Sequence, residues 1–370
     1  MDRSLPQQPT RFPLPEVSII VPARNEEENI GACLESLTAQ SGTTCEIIVV
    51  DDGSGDRTGE IAGGFAGVRV ISSGALPEGW TGKNSAVVAG AKAARGNWLL
   101  FTDADTVHRP GSLARVLDEA NKQQADLLSY SPEQMVVTFA ERAVMPVVFS
   151  ELAAQYPPHK VRDQGSGIVA ANGQYILARR SAYESVGGHA AVAKEILEDV
   201  ALALLFRNAG YRIYFRYGGD AVRTRMYRNW AQLREGWTKN LALLFPHPGR
   251  LALRCLLRWV VAWASVLIAA FAVNSHRFAW GLPALFWLLV YWRIRSARFT
   301  AANNLIAVVA GLPLFAYLLL RSKTAHAQGQ VSWKGRIYGI RAPLRNTAAE
   351  KRTLNRVRQI ENAGLSTESQ

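Results

Sequence analysis

Between Arg298 and Arg321 the chain runs 22 residues without a charge, FTAANNLIAVVAGLPLFAYLLL. As a helix this run would rise about 33 Å, slightly more than the ~30 Å hydrocarbon core of a bilayer. A segment of this kind has to be covered by protein or by lipid, which limits what the last third can be. Trp259–Ser275 and Phe278–Trp292 add uncharged runs of 17 and 15 residues close by. The clustering predicts a membrane region over 249–322, the alternative being a buried helical hairpin. The 15-residue run covers only about 22 Å, so the pattern allows two spans or three.

The chain has 42 Lys and Arg against 30 Asp and Glu, a net charge of +12. Such an excess invites a nucleic-acid partner, but its placement argues against one. Arg250, Arg254, Arg258, Arg293, Arg295, Arg298, Arg321 and Lys323 flank the apolar runs, and a basic tail (323–370) follows. That is the pattern of cytoplasmic flanks facing anionic lipid headgroups. We therefore expect no nucleic-acid partner. Three cysteines, Cys33, Cys45 and Cys255, show no metal-ligand spacing, and their odd number leaves at least one unpaired, as in a reducing compartment. Residues 1–15 are Pro-rich, lack an apolar signal core and read as a loose arm. The expectation is a multi-pass protein of the cell (inner) membrane with its front part in the cytoplasm.

That front part alternates short apolar runs with helical periodicity. VSIIVPA (17–23), CEIIVVDD (45–52), VRVIS (68–72) and NWLLFTDAD (97–105) read as strands. Helices are predicted over 26–40, 56–65 and 84–94. The alternation predicts an α/β, mostly parallel sheet with flanking helices, in which ligands gather at the carboxyl ends of the strands. Arg24-Asn25-Glu26, Asp51-Asp52 and Asp103/Asp105 all fall at such ends. If the fourth strand continues to Asp105, Asp103 and Asp105 share one face. They read either as a solvated turn or as ligands for a hard divalent cation, Mg²⁺ or Mn²⁺, bound together with a phosphate. Asp51 or Asp52 can accept hydrogen bonds from a base or ribose. No GxGxxG or GxxxxGK[ST] is present.

VSIIVPARNEEENI, IIVVDDGSGDRT and GKNSAVVAGAKAARGNWLLFTDADT, in this order, resemble the nucleotide-binding half of the family 2 glycosyltransferases. The resemblance implies the GT-A nucleotide-diphospho-sugar transferase fold over residues 16–248, followed by C-terminal transmembrane helices. It implies that Pro22, Arg24, Glu26 and Asp52 line a uridine pocket. Asp103 and Asp105 would be the metal-binding DxD pair, and Lys83 would approach the diphosphate. ANGQYILARRSAYESVGGHAAV (171–192) is similar to the family's acceptor side. Glu198-Asp199 matches the family's ED pair, with Asp199 as general base, although acids in a first helical turn also favour the helix dipole.

Gln232, Arg234 and Trp237 stand where processive members carry QxxRW, but here Glu235-Gly236 splits the Arg-Trp pair. With GWTGKN and VSWKGRIY, this looks more like the membrane-attached carotenoid-acid and hopene-associated branch, with Glu198, Arg234 and Trp237 on the acceptor or nucleotide side. The implied function is inverting, metal-dependent transfer of one sugar from a UDP-sugar or similar donor to a membrane lipid acceptor. A polyprenyl-phosphate sugar transferase and an inactive membrane partner remain as alternative readings.

Overall fold

Strand β1 (Val17–Ala23) is buried along nearly its whole length. Val17, Ile19 and Val21 pack into the core on one sheet face and Ile20 into the core on the other, which is why the run is continuously apolar. A computed structural model describes residues 14–272, 280–329, 331–333 and 336–338. The N-terminal arm up to residue 13, residues 273–279 and the tail from 339 onward lie outside the described residues.

After β1 come α1 (Ile30–Thr38), β2 (Cys45–Asp51), α2 (Thr58–Gly63), β3 (Val68–Ser72), α3 (Gly82–Ala93) and β4 (Trp98–Thr102). The four strands pair in parallel in the order β3-β2-β1-β4, with Val17 opposite both Cys45 and Trp98. Next are β5 (Thr106–His108), α4 (Ser112–Lys122), β6 (Leu127–Ser131), β7 (Glu133–Gln134), α5 (Phe139–Gln155) and α6 (Pro158–Arg162). Then β8 (Tyr175–Arg179), α7 (Arg180–Ser185), α8 (Glu198–Asn208), β9 (Ile213–Tyr217) and β10 (Val222–Thr224) complete two sheets. The seven-stranded sheet continues β4-β8-β6-β9, with β8 antiparallel to both neighbours and β9 parallel to β6. The small sheet β5-β10-β7 stands beside it. The expected mostly parallel α/β fold is what forms, with one reversed strand.

Two local expectations are corrected. The first helix starts at Ile30 rather than Glu26 because the loop before it is held by side chains of the next loop. Asn25 N–H donates to Ser54 Oγ (3.1 Å), Glu26 N–H to Thr58 Oγ1 (2.7 Å) and Glu27 N–H to Asp56 Oδ2 (3.1 Å). The fourth strand ends at Thr102, so Asp103 and Asp105 sit in a turn rather than on one strand face. That turn is closed by Thr106, whose hydroxyl donates to the Asp103 carbonyl at 2.7 Å.

The last third is helical: α9 (Trp230–Leu244), α10 (Pro248–Ala272), α11 (Gly281–Arg295), α12 (Ala301–Ile306) and α13 (Leu312–Ala327), with a short β11–β12 hairpin (Val331–Trp333, Arg336–Tyr338). These helices share a core with α5, built on Val147, Trp237, Leu241, Ala252, Phe315 and Leu319. The run 301–327 is continuous but carries a π-helical turn at Ala307–Gly311 just before Pro313. Proline removes the N–H that would pair with the Val309 carbonyl. That carbonyl instead accepts the Trp259 indole N–H of α10 at 2.8 Å. At Gly311 the run crosses α5 so closely that a Cβ would stand 2.2 Å from the Ala143 carbonyl oxygen. Among the described residues two helical runs, Pro248–Phe271 and Ala301–Ala327, are long and apolar enough to cross a membrane. At 15 residues, α11 is not.

Candidate active site

The carboxyl ends of β1, β2 and β4 open into a cavity of about 1370 Å³, larger than the ~300–1,000 Å³ of most small-molecule pockets. At the ends of β1 and β2, the Arg24 guanidinium donates to the Asp52 carbonyl at 2.9 Å and lies 3.9 Å from its carboxylate. Ser73 Oγ donates to the Asp52 carboxylate at 3.0 Å. The structure separates the two adjacent acids. Asp51 accepts Ser54 N–H (3.0 Å) and Oγ (2.6 Å) to hold its own loop, while Asp52 lines the cavity. Pro22 and Glu26 line the same wall.

Lys83 stands in the first turn of α3, whose N-cap Thr81 accepts Asn84 N–H at 3.2 Å. Asn84 fastens this turn to the loop before α8 by donating to the carbonyls of Val192, Ala193 and Glu195. Lys83 Nζ thereby reaches Asp103 at 2.7 Å and Glu198 at 2.9 Å. Burial alone would lower its pKa, but the two carboxylates hold it well above the ordinary lysine value. Glu198 is in turn kept below the usual carboxylate range: burial opposes this, but Lys83 and Lys239 outweigh it.

Asp199 behaves oppositely. Burial and the neighbouring Glu198 charge raise it to about 6, against Lys83 and two backbone donors. Those donors are Gly173 N–H to Oδ2 and Val200 N–H to Oδ1, each 2.8 Å. A Cβ at Gly173 would stand 3.0 Å from Lys83 Nζ and 3.1 Å from Glu198 Oε1, so a larger residue there would crowd this ion pair. Two adjacent carboxylates are thus pushed apart in acidity, the arrangement that separates a salt-bridged anchor from a proton acceptor.

Asp103 and Asp105 both line the cavity. As a donor set they suit Mg²⁺ or Mn²⁺, which take one or two carboxylates and leave the other positions to phosphate and water. Among the described residues no group of three or more His, Cys, Asp or Glu forms a protein cage.

Helix α9 supplies the opposite wall. Trp237 is buried edge-on to Phe149 and Tyr227, and its indole N–H has no partner among the described residues. Phe149, Leu152, Tyr156, Leu244 and Phe299 extend this wall as an apolar slot. Arg234 is not brought to the cavity. It lies about 200° around the helix from Gly236, at ~100° per residue, and lines a separate depression with Thr238 and Arg321. Sequence reasoning missed Lys239 and Asn240, which do line the cavity. The signal that identifies them is their i+3/i+4 spacing from Gly236 in EGWTKN.

The sequence model of "Glycosyl transferase family 2" matches residues 18–187. Over 345 residues, 88% of both chains, the protein is 28% identical to a 4,4'-diaponeurosporenoate glycosyltransferase of Staphylococcus aureus (strain MRSA252). Among solved structures it resembles a mannosyltransferase from Pyrobaculum calidifontis in complex with GDP-Man and Mn²⁺. There the identity is 16%, the coverage 84% of this chain and 87% of that one, and the TM-score 0.46. It also resembles glucosyl-3-phosphoglycerate synthase from Mycobacterium tuberculosis in complex with Mn²⁺, UDP and glucosyl-3-phosphoglycerate (22%, 62% and 79%, TM-score 0.41). The motif order, the sheet and the family match agree that residues 18–187 carry a glycosyltransferase family 2 domain.

Proposed function

We propose that the protein transfers a single sugar, with inversion, from a UDP-sugar such as UDP-glucose to a membrane lipid acceptor in a divalent-metal-dependent reaction. The observation that carries this reading is the continuity of the cavity. The acidic strand ends that suit a nucleoside diphosphate open directly onto the apolar slot of α5 and α9. That slot belongs to the same core as α10 and α13. Phe271 (87%), Leu282 (76%) and Ile268 (68%) are exposed on α10 and α11, an apolar surface of the kind lipid covers. The relative that acts on diaponeurosporenoate supports a carotenoid-type acceptor.

In this reading Pro22, Arg24, Glu26 and Asp52 hold the nucleoside. Asp103 and Asp105 would hold the cation, which when bound would offset negative charge on the diphosphate. Lys83 adds a fixed positive charge at the same place. Asp199 takes the proton of an acceptor hydroxyl as that oxygen bonds to the sugar's anomeric carbon. The bond from that carbon to the diphosphate oxygen breaks, and the nucleoside diphosphate leaves with the electron pair. For a carboxylate acceptor no proton need move, and Asp199 positions the acceptor instead.

The test is transfer of labelled sugar from UDP-glucose by the detergent-solubilised chain to a panel of isoprenoid alcohols, carotenoid acids, polyprenyl phosphates and water-soluble acceptors. The reading expects product on a neutral or carboxylated lipid, with the anomeric configuration inverted. Product only on polyprenyl phosphate would favour the alternative, and product only on water-soluble acceptors would refute the lipid assignment.

A further inference from the structure

The hydroxyl of Ser322, fully buried on α13, donates to the Thr238 carbonyl at 2.7 Å and accepts the Ala242 N–H at 2.9 Å. Those two groups, four residues apart, are the partners of one rung of an ordinary α-helix. A side chain from another helix therefore stands astride a rung of α9. Two neighbouring contacts mark the same turn. Thr238 Oγ1 donates back to the Arg234 carbonyl at 2.6 Å, a bond that tends to bend helices. His326 Nε2, four residues after Ser322 on α13, donates to the Lys239 carbonyl at 2.8 Å.

A side chain inserted into the ladder sets the local direction of a helix. Here the affected turn is the one that projects Lys239 and Asn240 into the cavity. Lys239 lines the cavity near Glu198, Lys83, Asp103 and Asp199; burial lowers its pKa and Lys83 adds to this, while the three carboxylates hold its proton against them. The middle of the cavity carries four carboxylates, Asp103, Asp105, Glu198 and Asp199, and a diphosphate adds further negative charge there. Lys83 is already engaged by two of the four.

We infer that Lys239 is a second cationic contact for the donor diphosphate and that Ser322 is the positioning residue that aims it, so that α13 shapes the donor site. This inference rests on the nucleotide-sugar reading above. The chemistry it names is a diphosphate, met through an ammonium group on the turn of α9 that Ser322 engages.

The test uses the full chain in detergent with two probes, UDP and uridine, titrated with and without Mn²⁺. Lys239→Ala is expected to weaken UDP binding about 10- to 100-fold, the range of a charge-assisted hydrogen bond, and to leave uridine binding within about twofold. Lys239→Met, which keeps the aliphatic stem, should do the same if the alanine variant folds poorly. Ser322→Ala should weaken UDP binding about 3- to 10-fold in the native background and have no further effect in the Lys239→Met background, because it acts through that lysine. Equal loss of UDP and uridine affinity, unchanged UDP binding in Lys239→Met, or a Ser322→Ala effect of full size in both backgrounds would each overturn the inference. Absence of UDP binding by the unsubstituted chain would instead bring down the nucleotide-sugar reading itself.

Discussion

Lys83 Nζ lies 2.9 Å from Glu198 Oε1, so one ammonium group on α3 ties the nucleotide half of the sheet to the first turn of α8. The same nitrogen touches Asp103 at 2.7 Å. Replacing it removes a positive charge from a carboxylate cluster as well as from the proposed diphosphate site. Lys83→Met is expected to lower kcat/KM by at least about 10²-fold, as loss of a preorganised charge at a leaving group does. Lys83→Arg should restore little, since a planar guanidinium does not fit a point charge held by two carboxylates. Steady-state kinetics of both variants check this, and Glu198→Gln combined with Lys83→Met should be less than additive.

Asp199 gives a pH signature. Its pKa is raised to about 6 by burial and by Glu198, so the proton-accepting form fills only above that pH. With a hydroxyl acceptor, kcat should rise as pH increases through about 6, and Asp199→Asn should lower kcat by about 10²–10⁴-fold while leaving UDP affinity nearly unchanged. A flat profile together with a mild Asp199→Asn effect would point to a carboxylate acceptor.

The crossing of α5 by the 301–327 run predicts an inverted helix-propensity effect. Glycine inside an exposed helix usually costs ~0.5–1 kcal/mol relative to alanine, so Gly311→Ala would ordinarily stabilise. Here the new Cβ meets the Ala143 carbonyl oxygen at 2.2 Å and Val147 Cγ2 at 2.7 Å. Overpacking of this kind costs about 1–3 kcal/mol. Thermal unfolding in detergent should show Gly311→Ala melting below the parent chain.

Two buried histidines predict loss of stability in acid. His189 is buried against Phe101, and burial lowers its pKa from 6.5 to about 4; His108 is lowered to about 3 for the same reason. The Tyr183 hydroxyl accepts His189 N–H at 3.0 Å and lies 3.0 Å from Nδ1, so its own proton points at that nitrogen and favours the neutral ring. Between 6.5 and these lowered values the unfolded chain binds protons that the folded chain refuses. Stability therefore falls as pH falls through that window and is unaffected by these groups above it. Melting temperature followed from pH 7 to pH 4 should decline, and His108→Gln should flatten part of the decline.

The centre of the sheet was legible because β1, β2 and β4 are buried on both faces and so read as unbroken apolar runs, from VSIIVPA to NWLLF. The end of β4 was not, because its last apolar residue is followed by acids whose turn is closed by Thr106, a contact that alternation does not reveal. The start of α1 was misplaced for a similar reason: its preceding N–H groups are bound by Ser54, Asp56 and Thr58, about thirty residues away in sequence. Of the residues expected at the site, Pro22, Arg24, Glu26, Asp52, Lys83, Asp103, Asp105, Glu198, Asp199 and Trp237 converge on one cavity. Arg234 does not, since the motif spacing placed it near Trp237 in sequence without fixing which side of α9 faces the ligand. Lys239 was overlooked because the motif spacing singled out only Arg234 and Trp237, although Lys239 lies three residues after Gly236 and so on its side of α9.

The central claim is that the acidic turn after β4 binds a cation together with a nucleoside diphosphate. Calorimetric titration of the full chain with UDP, with and without Mn²⁺, beside Asp105→Asn, tests it most directly. The account predicts UDP binding that Mn²⁺ strengthens in the parent chain and no longer strengthens in the variant. Equal, weak binding in all four titrations would contradict it and leave Asp103 as a partner of Lys83.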